Sequence, residues 1–218
     1  MTQDILFLGI TLVLTIGVIY IYLSKLNKAK KMRQNAMDTI EQNKDKYRHL
    51  DYFALKNALN GHQTHVILYH LMAKEDEYYE IEEPQMSFYE YLTKPQRKIY
   101  GVYLLERELA NKGTIEKFMD SDGASYLEDL YELFDAINTH EIKECLKEAV
   151  EYYRFSIGEI EVENTEGQYP SFNLTDFKEE IMALVRQESF IRAIDNYILE
   201  NATLFCDSKE DTNEGTSN

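Results

Sequence analysis

The longest apolar run of the chain lies near its start. Residues 5–23 hold no charged side chain over 19 positions. As a helix they would span about 28 Å, close to the roughly 30 Å hydrocarbon core of a bilayer. Tyr20 and Tyr22 stand at the end of the run, where aromatic rings favour the headgroup region. The pattern therefore predicts a single transmembrane helix over residues 5–23.

The charges on either side of this run predict its orientation. Asp4 is the one charged residue before it. A basic stem, residues 24–34, follows it and carries Lys25, Lys28, Lys30, Lys31 and Arg33. Since Lys and Arg stay on the cytoplasmic side of a membrane, we expect a single-pass cell-membrane protein with residues 1–4 outside and the rest in the cytoplasm. A cleaved signal peptide and a buried helix of a soluble core are the alternatives. The start lacks the basic residues and cleavage site that a signal peptide needs, and the length of the uncharged run favours a membrane span over a core helix.

Beyond the stem, apolar residues recur at three- and four-residue steps, as in amphipathic helices. The stripes predict helices over 35–59, 63–74, 94–110, 114–119 and 124–137, and a last helical region that ends near residue 205. A further helix begins near Asn138, with Glu141 placed as in a capping box. We therefore predict an all-α acidic domain over residues 35–205.

Two segments and the end of the chain lack this spacing. Residues 75–84 hold six acidic side chains and predict a solvated loop or a frayed helix end. Residues 156–175 collect turn formers and predict a second loop. The polar tail, residues 206–218, is predicted to be disordered. Over the whole chain, only nine glycines and three prolines in 218 residues agree with long helices.

The charge of the chain is strongly negative and unevenly divided. Lys and Arg number 23 against 39 Asp and Glu, a net charge of −16. Residues 1–33 carry five basic residues and one acidic residue, so the remaining residues carry −20. Direct nucleic-acid binding needs clustered Lys and Arg and is not expected. A basic protein, such as a DNA-binding protein, is the partner that this charge favours.

One predicted helix carries a candidate binding face, made of Glu128, Asp129, Glu132 and Asp135. Glu128 and Glu132 are four residues apart, and Glu132 and Asp135 three, which places their Cβ atoms about 5–6 Å apart. Such a row of carboxylates would present a phosphate-like field to a basic partner. The alternative is an ordinary solvated face that maintains solubility.

The sequence offers no catalytic, cofactor or metal motif. There is no GxSxG elbow, P-loop or GxGxxG, and Cys145 reads as a buried core thiol. His62, His65 and His70 lack a known ligand spacing. We therefore expect a non-catalytic, regulatory binding protein without a cofactor. An enzymatic or metal-dependent module with an unrecognised site and an adaptor with an apolar groove stay open, as does the oligomeric state.

Two short motifs support a family resemblance. Asn111-Lys112-Gly113 ends one predicted helix, and Ser121-Asp122-Gly123 precedes the helix that ends at Ile137. With these motifs, Tyr100–Tyr153 resembles the DMP-nineteen-like domain family, named after a bacterial DNA-mimic protein. Ala193–Asn201 is similar to the closing helix of that family. Over about residues 94–201, the resemblance implies an all-α domain with an acidic surface that imitates DNA toward a DNA-binding protein.

Overall fold

The fold was analysed in a computed structural model. The structure describes the backbone of residues 2–58, 63–110, 113–159 and 174–206, and the side chains of these ranges from residue 25 onward. Over these ranges the chain forms α-helices and one 3₁₀ helix, without a strand, which confirms the all-α prediction. The helices are α1 Thr2–Tyr47, α2 Tyr52–Lys56, α3 Gln63–Tyr79, α4 Phe88–Tyr91, α5 Lys94–Ala110, α6 Ile115–Asp120, the 3₁₀ helix Asp122–Tyr126, α7 Leu127–Ala136, α8 His140–Ser156, α9 Leu174–Val185, α10 Glu188–Glu200 and α11 Ala202–Phe205.

The chain divides into two units, Met1–Lys46 and Tyr47–Asn218. The first unit is formed by α1, which includes residues 5–23. The side chains of that predicted span lie outside the described residues. From residue 25 onward, where side chains are described, no helix has an apolar stretch long enough to cross a membrane. The structure thus gives the transmembrane helix no support, and membrane insertion of residues 5–23 stays a prediction.

The helix predicted over residues 35–59 is divided in two. α1 ends at Tyr47, and Leu50 is buried with 1% of its surface exposed. Asp51 begins a new helix, because its Oδ1 accepts a hydrogen bond from the backbone N–H of Ala54 at 2.7 Å. An aspartate at this position satisfies an amide that has no partner within the helix. The sequence pattern alone did not separate this cap from a continuing helix.

The acidic segment 75–84 is the end of a helix over its first five residues, so the predicted loop is confined to the residues from Glu80 onward. α3 continues to Tyr79. The reason is Tyr78, which is buried, packs its ring 5.3 Å from that of Phe88, and donates a hydrogen bond from its hydroxyl to the carbonyl of Met86 at 2.8 Å. Burial of this aromatic side chain stabilises the last turn of the helix, in which Asp76 and Glu77 are charged.

The core of the second unit is built around α5, whose predicted bounds are confirmed. Ile99, Leu105 and Leu109 on α5 are at most 1% exposed. α5 packs against α3, α6, α7 and α9, while α8 packs against α7 and α9 and α10 packs against α3. The apolar stripe read from the sequence is the face that these neighbours cover.

The Ser121-Asp122-Gly123 motif has a packing role. It starts the 3₁₀ helix, which with α7 replaces the single helix predicted over 124–137. A Cβ atom on Gly123 would lie 2.5 Å from the ring of Phe118, which is fully buried. Only glycine therefore lets the 3₁₀ helix close onto α6 without displacing that ring.

Asn138 ends α7 and does not cap α8 as predicted. Its φ of 55° is left-handed, a conformation that asparagine tolerates. The N–H of Asn138 donates to the carbonyl of Asp135 at 3.1 Å, and the N–H of Thr139 donates to the carbonyl of Phe134 at 2.8 Å. This pair of bonds is a Schellman motif. α8 starts at His140 without a side-chain cap, so no capping box with Glu141 forms.

The last helical region is confirmed as α9, α10 and α11. Phe177, Ile181, Phe190 and Ile194 are buried, as their spacing predicts. The predicted loop 156–175 falls largely on residues 160–173, and the predicted tail on residues 207–218, which lie outside the described residues.

Candidate functional site

Three of the four carboxylates in the predicted acidic face on α7 are paired with basic side chains of the same molecule. Asp129 is buried, with 4% of its surface exposed. Its Oδ2 lies 3.2 Å from Nε of Arg97 and accepts a hydrogen bond from the hydroxyl of Tyr89 at 2.8 Å. The Arg97 guanidinium lies 4.5 Å above the Tyr89 ring. Asp129 therefore joins α7 to α5 and the neighbouring α4, and it does not belong to an exposed face.

Glu132 and Asp135 are exposed but ion-paired. Glu132 Oε2 lies 2.8 Å from Nζ of Lys94 and 3.1 Å from Nζ of Lys98. Hydrogen bonds from these lysines lower the pKa of the Glu132 carboxyl, and a hydrogen bond from Lys143 lowers that of Asp135. The two carboxylates are thus largely neutralised by cations from α5 and α8.

Glu128 differs from these three residues. It is exposed, and within the described residues it has no ion pair with a basic side chain. It lies near Tyr131, whose pKa is raised to about 12 by burial and further by the charges of Glu128, Glu151 and Glu144, against a lowering by Arg154. The predicted face is therefore reduced to one carboxylate at the edge of α8.

A second group of carboxylates, missed by the sequence analysis, surrounds Cys145. Burial raises the pKa of its thiol to about 12, and Glu180, Glu148 and Glu141 raise it further. We call these three residues the α8–α9 acidic face. All three are exposed, and none forms an ion pair with a basic residue in the described part of the chain. The glutamates seven residues apart on α8 could have indicated two of the three residues of this face, but the contribution of α9 depends on the tertiary fold.

Cys145 is otherwise the core thiol that was predicted. It is 7% exposed and forms no disulfide. A reactive cysteine needs a lowered pKa and a basic setting. Here burial and three carboxylates raise the pKa of the thiol instead. The residue has no feature of a catalytic nucleophile.

Of the three candidate histidines, the structure describes His65 and His70, which differ in burial. His70 is fully buried, with Nδ1 at 3.0 Å from the carbonyl oxygen of Tyr47 and 3.2 Å from that of Arg48. His65 is exposed on the same helix, and His62 lies outside the described residues. Over the described ranges, no group of three or more His, Cys, Asp or Glu side chains is placed to hold a metal ion.

An apolar cavity of about 230 Å³ lies between α3, α5 and α10. Leu68, Val102 and Ile194 belong to its wall, and Glu106 places a carboxyl group there. Burial raises the pKa of Glu106, although the charges of Arg186 and His65 oppose the shift. This cavity is the kind of groove that the adaptor alternative requires.

The basic stem is described from residue 25 onward. Its five cationic side chains, Lys25, Lys28, Lys30, Lys31 and Arg33, are all exposed on α1. They are therefore accessible to an anionic surface.

Comparison with known proteins gives one match. The family model described as DMP19-like protein matches residues 90–201, which include α5 to α10 and the charged network between α5 and α7. No curated protein and no solved structure is significantly similar to the chain.

Proposed function

Because the chain belongs to the DMP19-like protein family, we propose that its helical domain binds a basic partner protein in a non-catalytic, regulatory role. The resemblance noted from the sequence favours a DNA-mimic-like mode, in which carboxylates take the place of DNA phosphates. A DNA-binding protein is the kind of partner that fits this mode.

The observation that carries this proposal is the α8–α9 acidic face. Glu141, Glu148 and Glu180 are exposed without an ion pair in the described residues, and together they act on one thiol between them. Uncompensated carboxylates steer the association of a basic partner, whereas the paired carboxylates of α7 contribute less. We therefore place the binding surface on α8 and α9, with Glu128 at its edge.

The test is a salt-dependent capture experiment with the full chain in a non-ionic detergent. The triple variant Glu141→Gln, Glu148→Gln, Glu180→Gln should lose basic proteins that the natural chain retains at low ionic strength. The natural chain should release the same proteins at high salt, because exposed charges are then screened. A matched control, Asp38→Asn, Glu116→Gln, Glu200→Gln, removes three charges from exposed positions elsewhere.

Equal losses in the two triple variants would refute a localised face. Partners that stay bound at high salt would instead favour the adaptor alternative, in which the apolar cavity between α3, α5 and α10 makes the contact.

We also propose that residues 5–23 anchor the protein in the cell membrane, with the acidic domain in the cytoplasm. The support is the sequence: 19 uncharged residues followed by a basic stem. The stem would attract anionic headgroups by about 1 kcal/mol for each basic residue near the surface. The acidic domain is repelled from the same surface, so it should project away from the membrane.

Carbonate extraction tests the anchor, and a reporter fused after residue 218 tests the orientation. An integral protein stays in the membrane pellet, and a cytoplasmic reporter identifies the side on which the domain lies. Release by carbonate would refute the anchor, and an external reporter would refute the orientation.

A further inference from the structure

A second cavity, of about 430 Å³, lies where the end of α3 meets α4 and the 3₁₀ helix. Its wall is made of aromatic, acidic and hydroxyl side chains, and none of these lining residues is basic. They are Tyr78, Tyr79, Ser87, Phe88, Tyr89, Glu90, Asp122, Ser125 and Tyr126. We call this the tyrosine cavity.

The aromatic rings of the tyrosine cavity are held by one another. Tyr78 and Phe88 have centroids 5.3 Å apart, and Tyr89 and Tyr126 are 5.0 Å apart in an edge-to-face arrangement. Tyr79 packs edge-on against Tyr78 at 5.4 Å while 68% of its surface is exposed. A fixed ring system with one exposed member can receive a ligand with little reorganisation.

The charged residues that line the cavity, Glu90 and Asp122, are both acidic. Burial raises the pKa of Tyr126, and the charge of Asp122 is the next cause. The pKa of Tyr79 is raised by burial, then by Glu75 and by Asp122, and the charge of Arg107 opposes the shift. Asp122 is exposed and has no ion pair with a basic side chain in the described residues. One carboxylate thus lies close to two tyrosines without a cation of its own.

Two other pairs of a tyrosine and a carboxylate in the molecule hold an arginine, one of them at Tyr89 in the wall of the tyrosine cavity. The Arg97 guanidinium lies 4.5 Å from the Tyr89 ring and 3.2 Å from Asp129. The Arg107 guanidinium lies 5.5 Å from the Tyr103 ring and 3.0 Å from Glu108. A guanidinium suits both partners, because it stacks on aromatic faces and donates several hydrogen bonds to a carboxylate.

We propose that the tyrosine cavity binds a guanidinium group, with the cation over an aromatic ring and its N–H groups directed at Asp122. The group is supplied either by an arginine side chain of a protein or by a small free molecule. This site differs from the α8–α9 acidic face and does not depend on it.

The test measures binding of N-acetylarginine methylamide to the full chain in a non-ionic detergent. N-acetylcitrulline methylamide has nearly the same shape without the charge, and it should bind about tenfold more weakly or worse. Asp122→Asn should weaken arginine binding by about the same factor, and Tyr79→Leu by about threefold. Glu200→Gln is the matched control, because it removes one exposed charge at a residue that neither lines the cavity nor belongs to the α8–α9 acidic face.

The inference fails if the citrulline compound binds as tightly as the arginine compound. It also fails if Asp122→Asn and Glu200→Gln weaken binding equally, since the effect would then come from net charge alone. Asp122 is exposed, and an unchanged circular dichroism spectrum confirms that its variant is folded.

A second measurement distinguishes an arginine of a partner protein from a small free molecule as the source of the guanidinium group. An arginine-containing peptide that binds more tightly than the capped amino acid, with the gain lost in Asp122→Asn, assigns the site to a protein partner. Equal affinities assign it to a small ligand. If arginine binding persists in the triple variant of the α8–α9 acidic face while basic proteins are lost, the two sites are independent.

Discussion

At the scale of single residues, Asp129 shows how a tertiary contact can change the role of a charged side chain from binding to stability. In the sequence it belongs to a row of four carboxylates. In the structure it is buried against Arg97 and Tyr89. A buried carboxylate requires such partners, because leaving it without them would cost several kcal/mol. The residue therefore serves the stability of the fold.

We expect Asp129→Ala to lower the free energy of unfolding by about 2–4 kcal/mol, because the Arg97 charge and the Tyr89 hydroxyl lose their acceptor. Urea denaturation measures this change. Glu132→Ala is the control, since its ion pairs are exposed and each is worth less than about 1 kcal/mol. Similar losses in the two variants would contradict the structural role given to Asp129.

The thiol of Cys145 gives a prediction about pH. Because its pKa is raised to about 12 by burial and by Glu180, Glu148 and Glu141, the native thiol stays protonated where an unfolded one, with a pKa near 8.5, ionises. Stability should be unaffected below about pH 8.5 and should fall between there and pH 12, since the native state retains the proton that the unfolded state loses.

The corresponding measurement is alkylation at pH 8.5 of the variant Cys206→Ser, in which Cys145 is the remaining cysteine. Reaction in the folded protein should be about a hundredfold slower than in urea, or slower still. Glu180→Gln should accelerate it, and Glu179→Gln, an exposed neighbour, should not. Rapid alkylation of the folded protein would show that the thiol is neither buried nor held protonated.

At the scale of elements, the close approach of the 3₁₀ helix to α6 depends on Gly123. Gly123→Ala places a methyl group 2.5 Å from the Phe118 ring and its carbonyl oxygen. We expect a loss of about 1–3 kcal/mol in the free energy of unfolding, as for other overpacked sites. Ser125→Ala in the same 3₁₀ helix is exposed and should change stability by less than about 0.5 kcal/mol. Thermal denaturation of both variants measures the two changes, and equal losses of stability would contradict the packing role of Gly123.

The elements that could be predicted from the sequence are those whose signals are local. α5 was predicted with its bounds because its apolar stripe is regular and Pro95 suits the first turn of a helix. The end of α3 was missed because the burial of Tyr78 depends on Phe88, which lies ten residues further along the chain. Asn138 fits both a cap and a left-handed helix end, and only the backbone hydrogen bonds distinguish these roles.

The candidate site was predicted less well for the same reason. Lys94 and Lys98 lie more than thirty residues before Glu132, so spacing within α7 could not indicate that its carboxylates are paired. The α8–α9 acidic face likewise joins Glu148 to Glu180 across a long segment of chain. Composition gives the total charge of a surface, whereas folding decides which charges remain without partners.

At the scale of the whole molecule, the hydrophobic core belongs to the second unit. Among the described residues, its buried members begin at Leu50. We therefore expect residues 34–218 to fold without detergent and to unfold in one cooperative thermal transition, followed by circular dichroism. The full chain in detergent is the reference. A gradual loss of helix in the shortened chain would contradict a core that is complete without the first 33 residues.

The ring system at the tyrosine cavity also determines how the protein can be observed. The chain holds 17 tyrosines and no tryptophan, so its intrinsic fluorescence comes from phenol rings alone. Tyr79→Trp would introduce a single indole at the exposed edge of the cavity, with an emission separate from that of every other residue. Occupancy of the cavity would then have an optical signal of its own, readable in the intact protein and in the presence of a membrane.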